Sequence, residues 1–328
     1  MGRRHLEAYL KKPEVIVSAC SDSNPEALKF LETRRVDCKR FVDWHQMLKD
    51  ESFDVLSVVT NGPSHAEITI TAARAGVPRI ICEKPMATSI SAALQMAEAA
   101  KTSRARLAIN YSRRWAEGYR NLKESLKQGT IGDLCEVRCV CGGGLLACNG
   151  SHFFDLMRFL SDSEPVSLVG FVDKRGTPNP RGAQFTDPGA FGIIRFRNGM
   201  RGFIDMFEDL GIPPTIEIVG SIGRVTIDEI RNKWTMESRE GNDRSEPLGK
   251  YDLPLKQHTM PSEPLDPQML VRETIDEILG DGQISSTADD GLAALQMVMG
   301  FHASDHEGNV QLTLPLASKY NDMVINFT

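Results

Sequence analysis

A chain of 328 residues exceeds the usual size of one hydrophobic core, so two units of roughly 100 to 200 residues each are expected. With 41% apolar and 25% charged residues it has the make-up of a globular protein, which excludes a disordered or fibrous chain. The 38 basic and 44 acidic side chains leave a formal net charge of -6 with no long run of one sign, which argues against nucleic-acid binding.

The opening stretch, MGRRHLEAYLKKPE, lacks the apolar core of a secretion signal, and no later apolar run approaches the roughly 20 residues that span a bilayer. A cytoplasmic protein with no membrane and no nucleic-acid partner is therefore expected. From residue 14, short β-branched runs alternate with helical segments: EVIVSAC, NPEALKFLETRR, FDVLSVV, SHAEITITAARAG, PRIIC, SISAALQMAEAAK and RLAIN. This βαβα alternation predicts an α/β fold, a Rossmann-type doubly wound parallel sheet with helices on both faces, over residues 1–112. Ser64 with Glu67 reads as a capping box, Gly76 as a helix stop and Ser89 as an N-cap.

After Asn110 the pattern changes, and residues 113–328 read as an α+β unit. A helix ending at Gly129 leads to the strand DLCEVRCVC, a helix around HFFDLMRFL and several strands in series, which predict a large, mostly antiparallel open sheet. FGIIRFRNGMRGFIDMF reads as a hairpin around Asn198 and Gly199 with a two-residue primed turn. Residues 239–267 read as a long surface loop, and helices near 268–279 and 289–302 close the chain. Seven cysteines, without the CxxC pairs of zinc sites, predict reduced thiols and no metal.

Three places carry candidate chemistry. Lys84 follows the apolar strand PRIIC, so it lies at the carboxyl end of a parallel strand, where doubly wound sheets bind ligands. Pro85 biases it toward an extended backbone, which would hold its ammonium over the crevice, although a plain surface lysine fits the same pattern. His152 and Asp155 stand three apart at the start of a helix, so both can face one crevice; they also read as ordinary polar residues of a first turn. Asp22 ends EVIVSACSD, where a dinucleotide fold places a carboxylate on the adenosine ribose, or where a turn simply favours Asp. A carboxylate there would repel a 2′-phosphate, which favours NAD over NADP.

The runs TNGPSHAEITITAARAGVPRIICEKPMATS, INYSRRW, IGDLCEVRC and GSHFFDLMRFL resemble the glucose-fructose oxidoreductase and inositol dehydrogenase (Gfo/Idh/MocA) family, and the likeness covers essentially the whole chain. The resemblance implies an NAD-dependent oxidoreductase in which Lys84, His152 and Asp155 form the catalytic set. Gly2, Asp22, Thr60, Asn61, His65, Glu83, Lys84 and Arg114 would line the cofactor, and Arg114 with Trp115 would lie at the crevice floor unless they form a surface pair. Sugar and inositol dehydrogenases of this family often carry an aspartate four residues before the histidine. Here that position is Cys148, with Asn149 beside it, and a thiol is a poor substitute for a carboxylate.

The family opens with a strand and a GxGxxG-type turn before a helix resembling RRHLEAYL, and only Gly2 of those glycines stands in this sequence. The first strand is expected to be missing from the sheet, through truncation or true loss, which would deprive its neighbours of ladder partners. The expected reaction is hydride transfer between the nicotinamide and a hydroxyl-bearing carbon of a sugar, cyclitol or nucleotide-sugar, with Lys84 and His152 managing the proton. Two rivals are a non-catalytic nucleotide- or sugar-sensing regulator and a reductase of a non-sugar substrate. The resemblance also implies a homodimer or homotetramer through the open sheet, and loops 142–150 and 177–187 are candidates for substrate contact.

Overall fold

β-branched residues followed by Gly-, Asn- or Ser-led helices produce short parallel strands in the first third of the chain. The computed structural model describes residues 1–176, 178–250, 252–258, 260 and 265–327. It begins with α1 (Gly2–Leu10), β1 (Ala19–Ser21), α2 (Pro25–Thr33), β2 (Lys39–Phe41), α3 (Trp44–Asp50) and β3 (Leu56–Val58). There follow α4 (Gly62–Arg74), β4 (Arg79–Cys82), α5 (Ile90–Ser103) and β5 (Arg106–Ile109). Helix α3 had no signal strong enough to be read from the sequence.

β1 pairs with β2, and β3, β4 and β5 pair in order, all in parallel, but among the described residues no ladder joins β1 to β3. The Rossmann-type sheet is thus divided where its first strand was expected to be missing. Of the run EVIVSAC only Ala19 and Cys20 enter a strand, which ends at Ser21, and Ile16 is 86% exposed, as expected of a segment with pairing on one side alone.

The second sheet has nine strands in the order β13-β12-β11-β10-β6-β9-β8-β7-β14. These are β6 (Leu134–Val140), β7 (Pro165–Val172), β8 (Ala190–Phe196), β9 (Arg201–Asp205), β10 (Thr215–Gly220), β11 (Gly223–Asp228), β12 (Lys233–Ser238), β13 (Lys256–His258) and β14 (Leu312–Thr313). Every pair is antiparallel except β6 with β9. Burial alternates strictly along β8, so one face packs inward while Ile193 and Phe191 stand on the other. Helices α6 (Glu117–Lys127), α7 (Ser151–Ser161), α8 (Pro267–Leu279) and α9 (Ala288–His306) complete the fold. α7 and α9 pack against the inner face, and Gly170 on β7 lets α9 approach, since a Cβ there would lie 2.8 Å from Phe301.

Four local expectations need correction. The hairpin β8–β9 forms, but Phe196 and Met200 bracket a three-residue loop, and of Asn198 and Gly199 only Gly199 has positive φ. Asn198 instead accepts the Met200 N–H with its side chain, so a right-handed turn followed by one left-handed glycine replaces the primed turn. Ser64 lies inside α4, whose N-cap is Asn61, and its hydroxyl bonds to Thr60 rather than forming a box with Glu67. The span 239–267 includes a short helical turn and β13, which pairs with β12, while residues 251, 259 and 261–264 of that span lie outside the described residues. The late helices do not close the chain, because β14 adds to β7 beyond them. Gly76 at positive φ and Ser89 accepting the Ala92 N–H behave as expected.

α8 lies far along the chain yet packs on the parallel sheet, where Val271, Ile275 and Ile278 bury against Ile81, Ala108 and Ala8. Ser286 and Thr287 run beside β5 and cover its edge. This interlocking brings α7 and the carboxyl ends of β3, β4 and β5 to one place.

Candidate active site

Glu83 and Lys84 leave the end of β4 in opposite directions, as successive residues of extended backbone must. Glu83 turns inward and is buried. His5 of α1 meets its Oε1 at 3.0 Å, and the Asn110 amide donates to the same oxygen at 2.7 Å. The other His5 nitrogen lies 3.0 Å from Ser57 Oγ, which Tyr9 also reaches at 2.8 Å. Burial pushes the Glu83 carboxyl up, but the hydrogen bond and charge of His5 and the Asn110 amide outweigh it and hold the pKa at about 2. Glu83 therefore stays ionised and ties α1 to β4 and β5. Because its folded value is depressed, its contribution to stability is complete above about 4.5 and is lost as pH falls toward about 2. Urea titrations of Glu83→Gln across that window should give lower stability at neutral pH and a flatter acid limb; superimposable acid limbs would contradict the assignment.

Lys84 turns outward, half-buried, toward the second unit. Its Nζ donates to the Cys148 carbonyl at 2.6 Å and lies 3.3 Å from the Cys148 thiol. The peptide bond to Pro85 is cis, which the sequence did not disclose. Cys148 belongs to a π-helical turn, Leu146–Gly150, that leads directly into α7. His152 follows on the first turn of α7, its ring edge-on to Tyr111 at 5.7 Å. Burial, with the charges of Lys84 and Arg113, keeps the His152 imidazole well below its ordinary pKa, so it is neutral at neutral pH. Its Nδ1, the Tyr111 hydroxyl and the Ser151 hydroxyl are buried with no hydrogen-bond partner among the described residues.

Asp155 and Arg114 are engaged with each other. The Arg114 Nε lies 2.9 Å from both Asp155 oxygens, its Nη2 reaches Asp155 at 2.8 Å and Asp290 at 3.0 Å, and its Nη1 donates to the Ser285 carbonyl at 3.0 Å. Asp155 is 1% exposed, and burial raises its pKa to about 6 although Arg114 opposes the shift. The pair clamps the segment after β5 to α7 and to the start of α9, behind His152. The neighbouring Trp115 is buried as well, and its indole donates to Glu277 of α8 at 2.8 Å, which settles the surface-pair alternative against it.

His65 is buried on α4. Its two ring nitrogens lie 2.8 Å from the Pro85 carbonyl and 3.0 Å from the Thr60 carbonyl, so it fastens the loop after β3 to the loop that carries Lys84. Burial holds this imidazole below its usual pKa, and a neutral ring has one N–H, so it donates to one of the two carbonyls and lies against the other. Thr60 and Asn61 stand where β3 ends and α4 begins. Neither α4 nor α1 has a side-chain cap, and a Cβ on Gly2 would lie 3.4 Å from Val59, so the start of α1 adjoins the end of β3. Asp22 is exposed just beyond β1, with one oxygen accepting the Asn24 N–H at 2.9 Å. The uncapped starts of α1 and α4 offer backbone N–H groups and Asp22 offers a carboxylate, the donor and acceptor types that the pyrophosphate and ribose of a dinucleotide call for. Sequence reasoning missed Asp187, a buried carboxylate that accepts the N–H groups of Ala147 and Cys148. It lies in the Pro-rich loop marked for substrate contact, whose residue 177 is outside the described residues.

Residues 1–111 match the model of an oxidoreductase family with an NAD-binding Rossmann fold, and residues 140–226 match the GFO/IDH/MocA C-terminal domain. Among curated proteins, myo-inositol 2-dehydrogenase of Thermotoga maritima is 25% identical over 74% of this chain and 77% of its own length. The 1,5-anhydro-D-fructose reductase of Ensifer adhaerens is 26% identical over 76% and 77%, respectively. Among solved structures, an oxidoreductase from Agrobacterium radiobacter in complex with NAD+, L-tartaric acid and magnesium superposes with a TM-score of 0.77. It is 20% identical, with 95% of each chain covered.

Proposed function

The chain belongs to the Gfo/Idh/MocA family of oxidoreductases, and from that premise we propose that it is an NAD-dependent dehydrogenase acting on a hydroxyl-bearing carbon of a sugar, cyclitol or nucleotide-sugar. The observation that carries this reading is Lys84, set at the end of β4 with its ammonium turned toward the turn that holds Cys148 and, one residue into α7, His152.

In this reading the coenzyme, when bound, supplies the hydride acceptor. Asp22 would hold the adenosine ribose and favour NAD over NADP, while the starts of α1 and α4, with Gly2, Thr60 and Asn61, would face the pyrophosphate and nicotinamide side. Lys84 donates a hydrogen bond to the substrate oxygen and steadies the negative charge that grows there as the C–H bond breaks. The neutral His152 accepts the hydroxyl proton, because an imidazole held below its usual pKa has its acceptor nitrogen ready at neutral pH. His65, Glu83, Arg114 and Asp155 act by holding these groups in place. Relatives named for myo-inositol and for an anhydro-sugar support a polyol as the substrate class.

Seven unpaired cysteines support a reducing compartment such as the cytoplasm, and no helix among the described residues is long and apolar enough to cross a membrane. The outer face of the nine-stranded sheet carries stacked Phe171 and Phe191 at 4.5 Å beside a hollow of about 410 Å³, which supports a homo-oligomer formed through that face. The cofactor assignment is tested by titrating the protein with NADH and NADPH and following nucleotide fluorescence. NADH should bind at least about tenfold more tightly, the equivalent of roughly 1.4 kcal/mol; tighter NADPH binding would overturn the role given to Asp22.

A further inference from the structure

The turn that meets Lys84 brings it a thiol and a backbone carbonyl, both of Cys148, and a carboxylate lies on the other side of the same turn. Asp187 stands just before β8 and is 7% exposed. Its Oδ1 accepts the Ala147 N–H at 2.7 Å and its Oδ2 accepts the Cys148 N–H at 2.9 Å. The two segments are joined again through the backbone, where Leu145 donates to the Asp187 carbonyl at 3.2 Å and Leu146 to the Pro188 carbonyl at 3.0 Å. Leu145 holds φ at 67°, a left-handed conformation that a leucine adopts only when its surroundings impose it. The Asp187 carboxylate thus fixes the second and third amides of a turn that enters from a strained residue, and the carbonyl of the third residue, Cys148, receives the Lys84 ammonium.

We propose that Asp187 is a positioning residue for Lys84: by gripping the Ala147 and Cys148 amides it aims the Cys148 carbonyl, and that carbonyl sets where the ammonium stands. The proposal rests on the reading of Lys84 given above for its consequence in catalysis, but not for the contact itself. The charged groups that act on Asp187 are Lys84 and Arg181, and burial raises its pKa to about 6 against their pull. The titratable groups on which Lys84 acts in turn are Glu83, His65, His152 and Asp187. Asp155, the other carboxyl raised to about 6, is paired with Arg114 instead.

The test is the rate at which Lys84 is labelled by an amine-reactive acetylating reagent, measured by peptide mass spectrometry as a ratio to the exposed Lys101 of the same sample. In Asp187→Asn, an amide group of the same shape faces a backbone N–H with its own NH2, and the turn loosens. The Lys84 ratio should rise about tenfold, the loss of roughly one charge-assisted hydrogen bond. An unchanged ratio in a variant with the wild-type circular dichroism would overturn the proposal. Should that variant not fold, the wild-type chain carries the test. The ratio is then expected to rise as pH is lowered through about 6, where Asp187 takes up a proton, and a flat ratio would overturn the proposal. Labelling needs neither coenzyme nor substrate, so its outcome is independent of whether Lys84 serves in the reaction, which rates of a Lys84 variant decide separately.

Discussion

Replacing Lys84 by alanine is expected to lower kcat/KM for polyol oxidation by about 100- to 1,000-fold, the range for loss of a donor aimed at the charge that develops on the reacting oxygen. Lys84 is carried by the strand end nearest the turn that leads into α7, and its neighbour Glu83 is buried and bonded to His5 and Asn110, which fixes the backbone from which the lysine extends. The ammonium is held by the Cys148 carbonyl, on the turn that leads into α7. It is thus turned toward the space that a substrate would share with His152. Most of the deficit should fall on kcat, since the interaction strengthens as charge develops on the oxygen. NADH affinity should change by no more than about twofold, a few tenths of a kcal/mol. Steady-state rates with NADH titrations on the same preparations check both statements. A variant with wild-type kcat would remove Lys84 from the chemistry.

Arg114→Ala is expected to be the most destabilising single change near the site, by about 3–5 kcal/mol, as when one partner of a buried ion pair is removed. Without the guanidinium, Asp155 would be left without a partner at the meeting point of the segment after β5, α7 and α9, beside an Asp290 that keeps Arg158 and the Thr287 N–H and hydroxyl. The pH dependence gives the test a sign. Asp155 already has a folded value raised to about 6 by burial, and losing Arg114 raises it further. A carboxyl raised in the folded state favours folding while protonated and penalises it once ionised, so the deficit of the variant should grow as pH rises through and above about 6. Chemical denaturation on both sides of that value measures it. Arg114→Lys should recover only part of the loss, because an ammonium cannot reproduce the planar fork that meets Asp155, Asp290 and the Ser285 carbonyl together. A deficit independent of pH would show that Asp155 is not the group left unpaired.

The strand and helix periods that name a Rossmann-type sheet were legible in the sequence, as was the place of Lys84 at a strand end. The change to serial strands after Asn110 likewise announced the open sheet. What was not legible depends on contacts between distant residues. His5 and Glu83 are 78 positions apart, and nothing local to either marks the other as its partner. Asp187 sits in a stretch that reads as a connector, because its two acceptor contacts lie on a turn about 40 residues earlier whose own helix type leaves no periodic signature. His65 follows an Asn-Gly-Pro turn and could be placed near the site. That its ring lies between the carbonyls of two loops follows only once the strands are aligned. The short β1 teaches the same lesson from the other direction, since a β-branched run becomes a strand only where a ladder partner exists.

The most direct test of the central claim follows the hydride itself. The protein is incubated with NAD and a panel of sugars and cyclitols carrying deuterium at their hydroxyl-bearing carbons, and the reduced coenzyme is isolated and weighed by mass spectrometry. Deuterium is expected in the NADH from at least one polyol with the wild-type chain, and a rate of transfer lower by about 100- to 1,000-fold with Lys84→Ala. NADH binding without any transfer from the panel would contradict the claim and leave the fold serving as a sensor of nucleotide or sugar rather than as a dehydrogenase.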